Sequence, residues 1–267
     1  MPEAGASFGA DRPTIAARLR AAGCVFAEDE AELLLSEAST AAALEDMVQR
    51  RIAGLPLEQI LGWAAFYGLR IAVRPGVFVP RRRTEFLAAQ AIQSARRRPT
   101  PRVLDLCCGT GAIGAAVAAH LSPLQLFAAD IEPAAAACAR ENLTGKGEVF
   151  EGDLFEPLPA VLRGGIDVLV ANAPYVPSAA VASMPPEARL HEPRVTFDGG
   201  HDGLDLHRRI AAEATDWLAQ GGHLLVECSE SQAAGIVEIF SACGLVATIS
   251  RDEEWDATVV TGTNAAR

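Results

Sequence analysis

The chain has 267 residues, half of them hydrophobic, and 34 acidic against 23 basic residues leave a formal net charge of −11. That length holds one large domain and a small one. The acidic balance argues against an extended surface for duplex DNA or RNA, which needs cations opposite phosphates. No basic region followed by an apolar stretch marks the N-terminus, and no apolar run approaches the roughly 18 residues of a membrane span, so a cytoplasmic protein without a membrane partner is expected. The six cysteines, at 24, 107, 108, 138, 228 and 243, form no C-x-x-C pair and read as small core residues of a reduced protein.

In chain order, residues 1–13 are rich in Gly, Ala and Pro and are expected to be disordered. Residues 14–62 read as a small helical domain. Thr14 caps a first helix that Gly23 ends; Glu28, Asp29, Glu30 and Glu32 open a second, where the helix dipole favours negative charge. A third runs over 41–53, closed by Gly54 and Pro56. Residues 63–80 form a hairpin linker, with alternation over 66–73, a turn at Tyr67-Gly68 and a break at Pro75-Gly76.

From 81 to 267 the pattern alternates strand and helix. A helix over 85–97 precedes strands at 103–106, 124–129, 148–151, 166–171, 223–227, 246–250 and 258–261. Such alternation predicts a mainly parallel sheet with helices on both faces. The polar stretch 251–256 is too short for a parallel crossover, so at least one of the last two strands is antiparallel.

Two places carry chemistry. Residues 103–114, VLDLCCGTGAIG, are a strand, a glycine turn and a helix start, and the glycines let a ligand approach the backbone. Asp130 ends the next strand, at the distance from which a carboxylate reaches ribose hydroxyls in dinucleotide folds. Asp153-Leu154-Phe155 ends the third, placing a polar group beside apolar ones suited to an adenine ring. No Gly-Lys-Ser/Thr loop for phosphate transfer is present.

The second place is Asn172-Ala173-Pro174-Tyr175, which closes the apolar strand 166–171. The Asn172 side-chain oxygen and the Ala173 carbonyl are acceptors, and Pro174 restrains the backbone at Ala173 to an extended form. Tyr175 adds a flat face. Two acceptors and an aromatic wall suit a planar –NH2 group, either an amide or an exocyclic amine; the plainer reading is a strand-ending turn. His191, His201 and His207 lie near Glu192 and Asp202, but H-E-P-R is not H-E-x-x-H, so no metal is expected. Cys107-Cys108 reads as packing in preference to a redox switch.

DLCCGTGAI at 105–113, ADIEP at 129–133 and NAPY at 172–175 together resemble class I S-adenosylmethionine-dependent methyltransferases. The resemblance is closest to the protein glutamine methyltransferases that act on peptide chain release factors. PLEQILG at 56–62, PRRRTE at 80–85, PPEARLHEPR at 185–194, DGGHDGLD at 198–205 and GGHLLVE at 221–227 fit the same family, so the likeness spans about 14–262.

The resemblance implies a Rossmann-like α/β sheet with an antiparallel C-terminal strand and a small N-terminal helical domain that docks the protein substrate. It implies S-adenosyl-L-methionine as cofactor. Cys107, Cys108, Gly109, Thr110 and Gly111 would wrap its methionine end. Asp130 would hold the ribose, and Asp153 and Leu154 the adenine. Asn172, Ala173, Pro174 and Tyr175 would form the catalytic set, with Asn172 touching both cofactor and substrate. Arg81 and Glu85 would shape the cleft between the domains. The implied substrate is the Gly-Gly-Gln loop of a release factor.

Two departures stand out. Cys107-Cys108 replaces the usual Gly-Thr or Gly-Ser, and Ala173 replaces the first proline of Asn-Pro-Pro-Tyr. Two alternatives stay open: a methyltransferase acting on an amine of nucleic acid or a small molecule, and a catalytically silent S-adenosylmethionine-binding protein.

Overall fold

The computed structural model describes residues 11–265. The first helix, α1 (Arg12–Ala21), is capped by Asp11, whose carboxylate accepts the Thr14 N–H at 3.0 Å. Sequence reading puts the cap at Thr14; the structure puts it three residues earlier, where Asp is an equally good acceptor and Pro13 fits the first turn. Arg12 and Pro13, expected within a disordered segment, are therefore helical, and residues 1–10 of that expectation lie outside the described residues. α2 (Ala27–Glu37) and α3 (Ala41–Ile52) follow, the latter capped by Thr40 through the Ala43 N–H at 3.1 Å. A short helix that periodicity does not signal, α4 (Leu57–Leu61), ends at Gly62 in the left-handed conformation. Ile15, Leu19, Leu34, Leu44 and Val48 form the core of this helical unit.

The linker is an antiparallel hairpin of β1 (Trp63–Phe66) and β2 (Leu69–Ala72). Its two turn residues, Tyr67 and Gly68, both have positive φ, 51° and 73°. This backbone matches the right-handed twist of the strands.

After α5 (Thr84–Ala95) come β3 (Arg102–Leu106), α6 (Ala112–His120), β4 (Gln125–Asp130), α7 (Pro133–Asn142), β5 (Glu148–Glu151) and β6 (Ile166–Ala171). Then follow α8 (Pro186–His191), α9 (Asp205–Trp217), β7 (Leu218–Cys228), α10 (Ala233–Ala242), β8 (Val246–Asp252) and β9 (Ala257–Thr263). The seven strands lie in the order β5-β4-β3-β6-β7-β9-β8. Strands β5 to β7 are parallel, and β9 is antiparallel to both neighbours, as the short connection from β8 demands.

Strand alternation divides the core. Leu104, Leu106, Leu169 and Val226 pack with Ile210, Trp217 and Phe240 on one face. Val103, Val168, Val170 and Leu225 pack with Leu87, Ile113 and Val117 on the other. No helix among the described residues is long and apolar enough to cross a membrane.

Strand order reverses at β3, which has β4 on one side and β6 on the other. In open α/β sheets a crevice forms there, outside the carboxyl ends of the strands. The hairpin is sewn to its rim by Asn142, at the end of α7. Asn142 Oδ1 accepts the Ala72 N–H at 2.9 Å, and Nδ2 donates to the carbonyls of Ala72 at 3.0 Å and Thr110 at 2.9 Å. Asn142→Ala leaves these backbone groups unpaired and is expected to lower stability by about 1–3 kcal/mol. Denaturant unfolding measures this; a loss below the scatter of the titration would show that the stitch is not structural.

Candidate active site

The cleft at the carboxyl ends of β3, β4 and β6 brings together most of the residues singled out by sequence. Cys107, Cys108, Gly109, Thr110, Asp130 and Asp153 line it, as do Leu154, Asn172 and Pro174. Gly109 has φ +55° and nothing within 4 Å of where a Cβ would stand, so its backbone faces open space. Gly111 does not line the cleft. It caps α6 at φ +74°, and a Cβ there would meet Ala139 at 3.2 Å, so its glycine serves the packing of α6 on α7.

Asp130 is locked by the backbone. Its Oδ2 accepts the Gly109 N–H at 2.8 Å and its Oδ1 the Glu132 N–H at 2.9 Å. Burial pushes its carboxyl up, and these two N–H groups oppose the shift. Each oxygen keeps lone pairs for a further donor. Across the cleft, Arg209 of α9 holds Asp153 Oδ2 at 2.8 Å. Leu154 is buried with φ +47°.

Asp105 belongs to the strand run VLDL, and no binding role for it is legible in the sequence. It is fully buried in β3, and its Oδ2 accepts the Gly114 N–H at 2.9 Å, tying strand to helix beneath the loop. Its Oδ1 has no partner among the described residues. Burial, with the Asp130 charge adding to it, pushes its carboxyl up to about 7. A lone acid within the apolar run VLDL is the signal that marks it.

Cys107 adopts φ +54°, a region that costs a non-glycine residue about 1 kcal/mol or more. Burial, then the surrounding carboxylates, pushes both the Cys107 and Cys108 thiols up, so neither is a ready thiolate.

At the end of β6, Asn172 Nδ2 donates to the Thr84 hydroxyl at 3.2 Å. With Nδ2 so engaged, Oδ1 is left as an acceptor without a partner among the described residues. Neither the carbonyl nor the N–H of Ala173 has a hydrogen-bond partner among the described residues. Tyr175 does not line the cleft as a flat wall. Its hydroxyl donates to Glu227 Oε1 at 3.0 Å and accepts from Arg83 Nη2 at 2.7 Å. Arg83 Nε is itself 3.3 Å from that carboxylate oxygen.

Arg81 and Glu85 are also absent from the cleft wall. Arg81 reaches both oxygens of the buried Glu192, at 2.6 and 2.7 Å, and Val79 N–H adds a third bond at 3.2 Å. This clamp holds the segment after α8 that supplies Val195 and Thr196 to the cleft. Glu85 makes no side-chain hydrogen bond among the described residues. His207 is fully buried, and burial lowers its imidazole to about 4. The described residues place no group of three or more His, Cys, Asp or Glu where it could hold a metal ion.

A family model for the methyltransferase small domain matches residues 68–187. The chain is 40% identical to the release factor glutamine methyltransferase of Geobacter sulfurreducens, over 76% of this chain and 71% of that protein. It is 34% identical to the release factor glutamine methyltransferase of Bradyrhizobium diazoefficiens, over 92% of this chain and 90% of that protein. The chain belongs to the release factor glutamine methyltransferase family. Among solved structures, a methyltransferase from Pyrococcus furiosus superposes with a TM-score of 0.55 at 15% identity, covering 83% of this chain and 98% of that one. At that identity the likeness concerns the fold, a Rossmann-like methyltransferase sheet.

The positive φ at Cys107 is a conformation that glycine adopts without strain. Cys107→Gly is expected to leave stability unchanged or raise it by up to about 1 kcal/mol, because lost strain offsets the added freedom of the unfolded chain. Cys107→Val, β-branched, is expected to lower it by about 1–3 kcal/mol. Denaturant unfolding of the two variants checks this. A glycine variant less stable than the valine one would mean that packing of the thiol, not the backbone, governs the site.

Proposed function

We propose that this protein transfers a methyl group from S-adenosyl-L-methionine to the side-chain amide nitrogen of a glutamine in the Gly-Gly-Gln loop of a peptide chain release factor. The observation that carries the reading is the pair of unspent acceptors at the end of β6. Asn172 Oδ1 is left free by the bond to Thr84, and the Ala173 carbonyl has no partner among the described residues. A glutamine –NH2 has two protons to give, and an adjacent pair of acceptors can take both.

The residues of the cleft fit the cofactor. The open backbone at Gly109 admits its amino-acid end, the anchored Asp130 carboxylate suits two ribose hydroxyls, and Leu154 with Ile131 offers apolar cover for adenine. When bound, S-adenosylmethionine supplies a methyl group activated by a sulfonium.

An amide nitrogen is a poor nucleophile because its lone pair is delocalised into the carbonyl, so placement carries much of the rate. Asn172 and the Ala173 carbonyl would aim the nitrogen and stabilise positive charge growing on it. Pro174 would hold the backbone at Ala173 extended, and with it the direction of that carbonyl. Arg81, through Glu192, would fix the cleft wall from behind, and the helical unit of α1 to α4 would dock the release factor. Neither the site nor this docking role requires an extended cationic surface, and the chain carries a net charge of −11.

Two variants test the reading. Asp130→Ala removes the ribose acceptor and should weaken S-adenosylmethionine binding, measured by calorimetry, by about 1.5–3 kcal/mol; unchanged affinity would leave Asp130 a strand-end residue that only braces the loop. Asn172→Ala deletes one of the two acceptors and should lower single-turnover methyl transfer to a Gly-Gly-Gln substrate by about 10²–10³. Full activity of that variant would return the motif to a plain turn. Transfer to adenine-containing DNA in preference to the release factor would favour an amine of nucleic acid as acceptor.

A further inference from the structure

An asparagine that must present its oxygen to a substrate needs something to choose between the two ends of its amide, which are nearly the same shape. Thr84 makes that choice only if its own hydroxyl proton is engaged elsewhere. A hydroxyl can either accept from Asn172 Nδ2 or donate to Asn172 Oδ1. In the second case the amide turns over and shows two N–H groups to a substrate that also has two, and the site no longer binds it.

Glu227 lies where it can settle this. It is the last residue but one of β7, beside the end of β6, in a parallel pair whose register runs through Ala171 and Val226. It is 1% exposed. One oxygen, Oε1, takes the Tyr175 hydroxyl and faces Arg83. The other, Oε2, is buried with no hydrogen-bond partner among the described residues. The Thr84 hydroxyl is close enough to favour the charged form of this carboxyl, as do Arg83 and the Tyr175 hydroxyl, although burial outweighs them and pushes it up. Apo contacts of this kind often shorten only when the substrate is in place.

We propose that Glu227 is a positioning residue for methyl transfer: its Oε2 engages the Thr84 hydroxyl, so that Thr84 can only accept from Asn172, and Asn172 Oδ1 is held toward the acceptor nitrogen. This rests on the role given above to Asn172. The same carboxylate, with Arg83, keeps Tyr175 turned inward and so holds the end of the Asn-Ala-Pro-Tyr segment from the other side. Glu227 touches neither substrate nor cofactor; it acts through Thr84 and Tyr175.

The arrangement gives a sign for pH. Below its pKa the Glu227 carboxyl can donate, Thr84 is released to donate to Asn172, and the amide is free to turn over, so transfer falls on the acid side. Other groups facing Glu227 do not titrate in that direction. The Arg83 guanidinium faces it at 3.3 Å, and burial keeps Tyr175 and Cys228 neutral. His207, whose Nε2 lies 3.4 Å from the Glu227 carbonyl, is held neutral by burial down to about pH 4.

The test uses the full chain with S-adenosylmethionine and a Gly-Gly-Gln peptide, and Asn172→Ala is measured in parallel. Glu227→Gln and Thr84→Val should each lower kcat by about tenfold to a hundredfold, the size of a small misplacement of a reacting group. Cofactor affinity by calorimetry should stay within a few-fold of the parent, which also reports that the variants are folded. Their double variant should lose little more than either single one, since both break the same link. Thr84→Ser, which keeps the hydroxyl, should recover most of the loss, and Glu227→Gln should flatten the acid limb of the pH profile. If Asn172→Ala is impaired while Glu227→Gln and Thr84→Val run at the parent rate, or if their losses multiply, the positioning role is wrong and the site reading survives. If Asn172→Ala itself is fully active, the reading of the site fails first.

Discussion

The hydrogen bond from Asn172 Nδ2 to Thr84 Oγ1 gives the cleft its polarity. Without it, the end of β6 is a turn with an amide of undetermined orientation; with Nδ2 engaged, Oδ1 is the end left to the cleft that Asn172 lines, while Ala173, next along the chain, is 1% exposed and its carbonyl has no partner among the described residues. Much of the surrounding structure serves to place Thr84. It opens α5 and is 3% exposed, and the residues just before it make the long-range contacts that hold that helix start. Arg81 reaches across to Glu192, and Arg83 to Glu227 and Tyr175. Three neighbouring side chains thus tie the start of α5 to the segment after α8, to β7 and to the loop after β6.

The sheet explains why these groups meet. A parallel arrangement puts the carboxyl ends of β3, β4, β6 and β7 on one edge, and the reversal of strand order at β3 opens a crevice between the loops that leave it. Into that crevice the loop after β3 turns its glycine backbone, with Asp130 fastened to it through the Gly109 N–H. Two of the four non-glycine residues with positive φ among the described residues, Cys107 and Leu154, lie here. Such strain persists where the surrounding bonds over-determine the chain, and it is a common companion of a binding site.

Much of this was legible in the sequence because its signals are local. Apolar runs bounded by turns mark the strands, and the short polar link at 251–256 forces the antiparallel partner. Glycine spacing and the acid at 130 mark the loop. What was not legible depends on contacts between distant residues or on competition between neighbours. Asp11 and Thr14 are both able caps, and only the fold decides between them. A five-residue helix such as α4 is too short to show a period. Tyr175 looks like an aromatic wall when read alone, yet its hydroxyl is claimed by Glu227 and Arg83, neither of which is near it in sequence. Glu85, next to Thr84 in the motif, stays outside the cleft, whereas Arg209 and Asp105 take part without a motif of their own beyond a lone acid in an apolar strand.

The destination of the methyl group decides whether this protein is a glutamine methyltransferase. Mass spectrometry of a release factor incubated with the protein and isotope-labelled S-adenosylmethionine locates it directly. One labelled methyl on the side-chain nitrogen of the glutamine in the Gly-Gly-Gln loop, lost when that glutamine is replaced by glutamate, is the expected result. Label on another residue, or none on the release factor while an amine of nucleic acid or a small molecule is methylated, would contradict it.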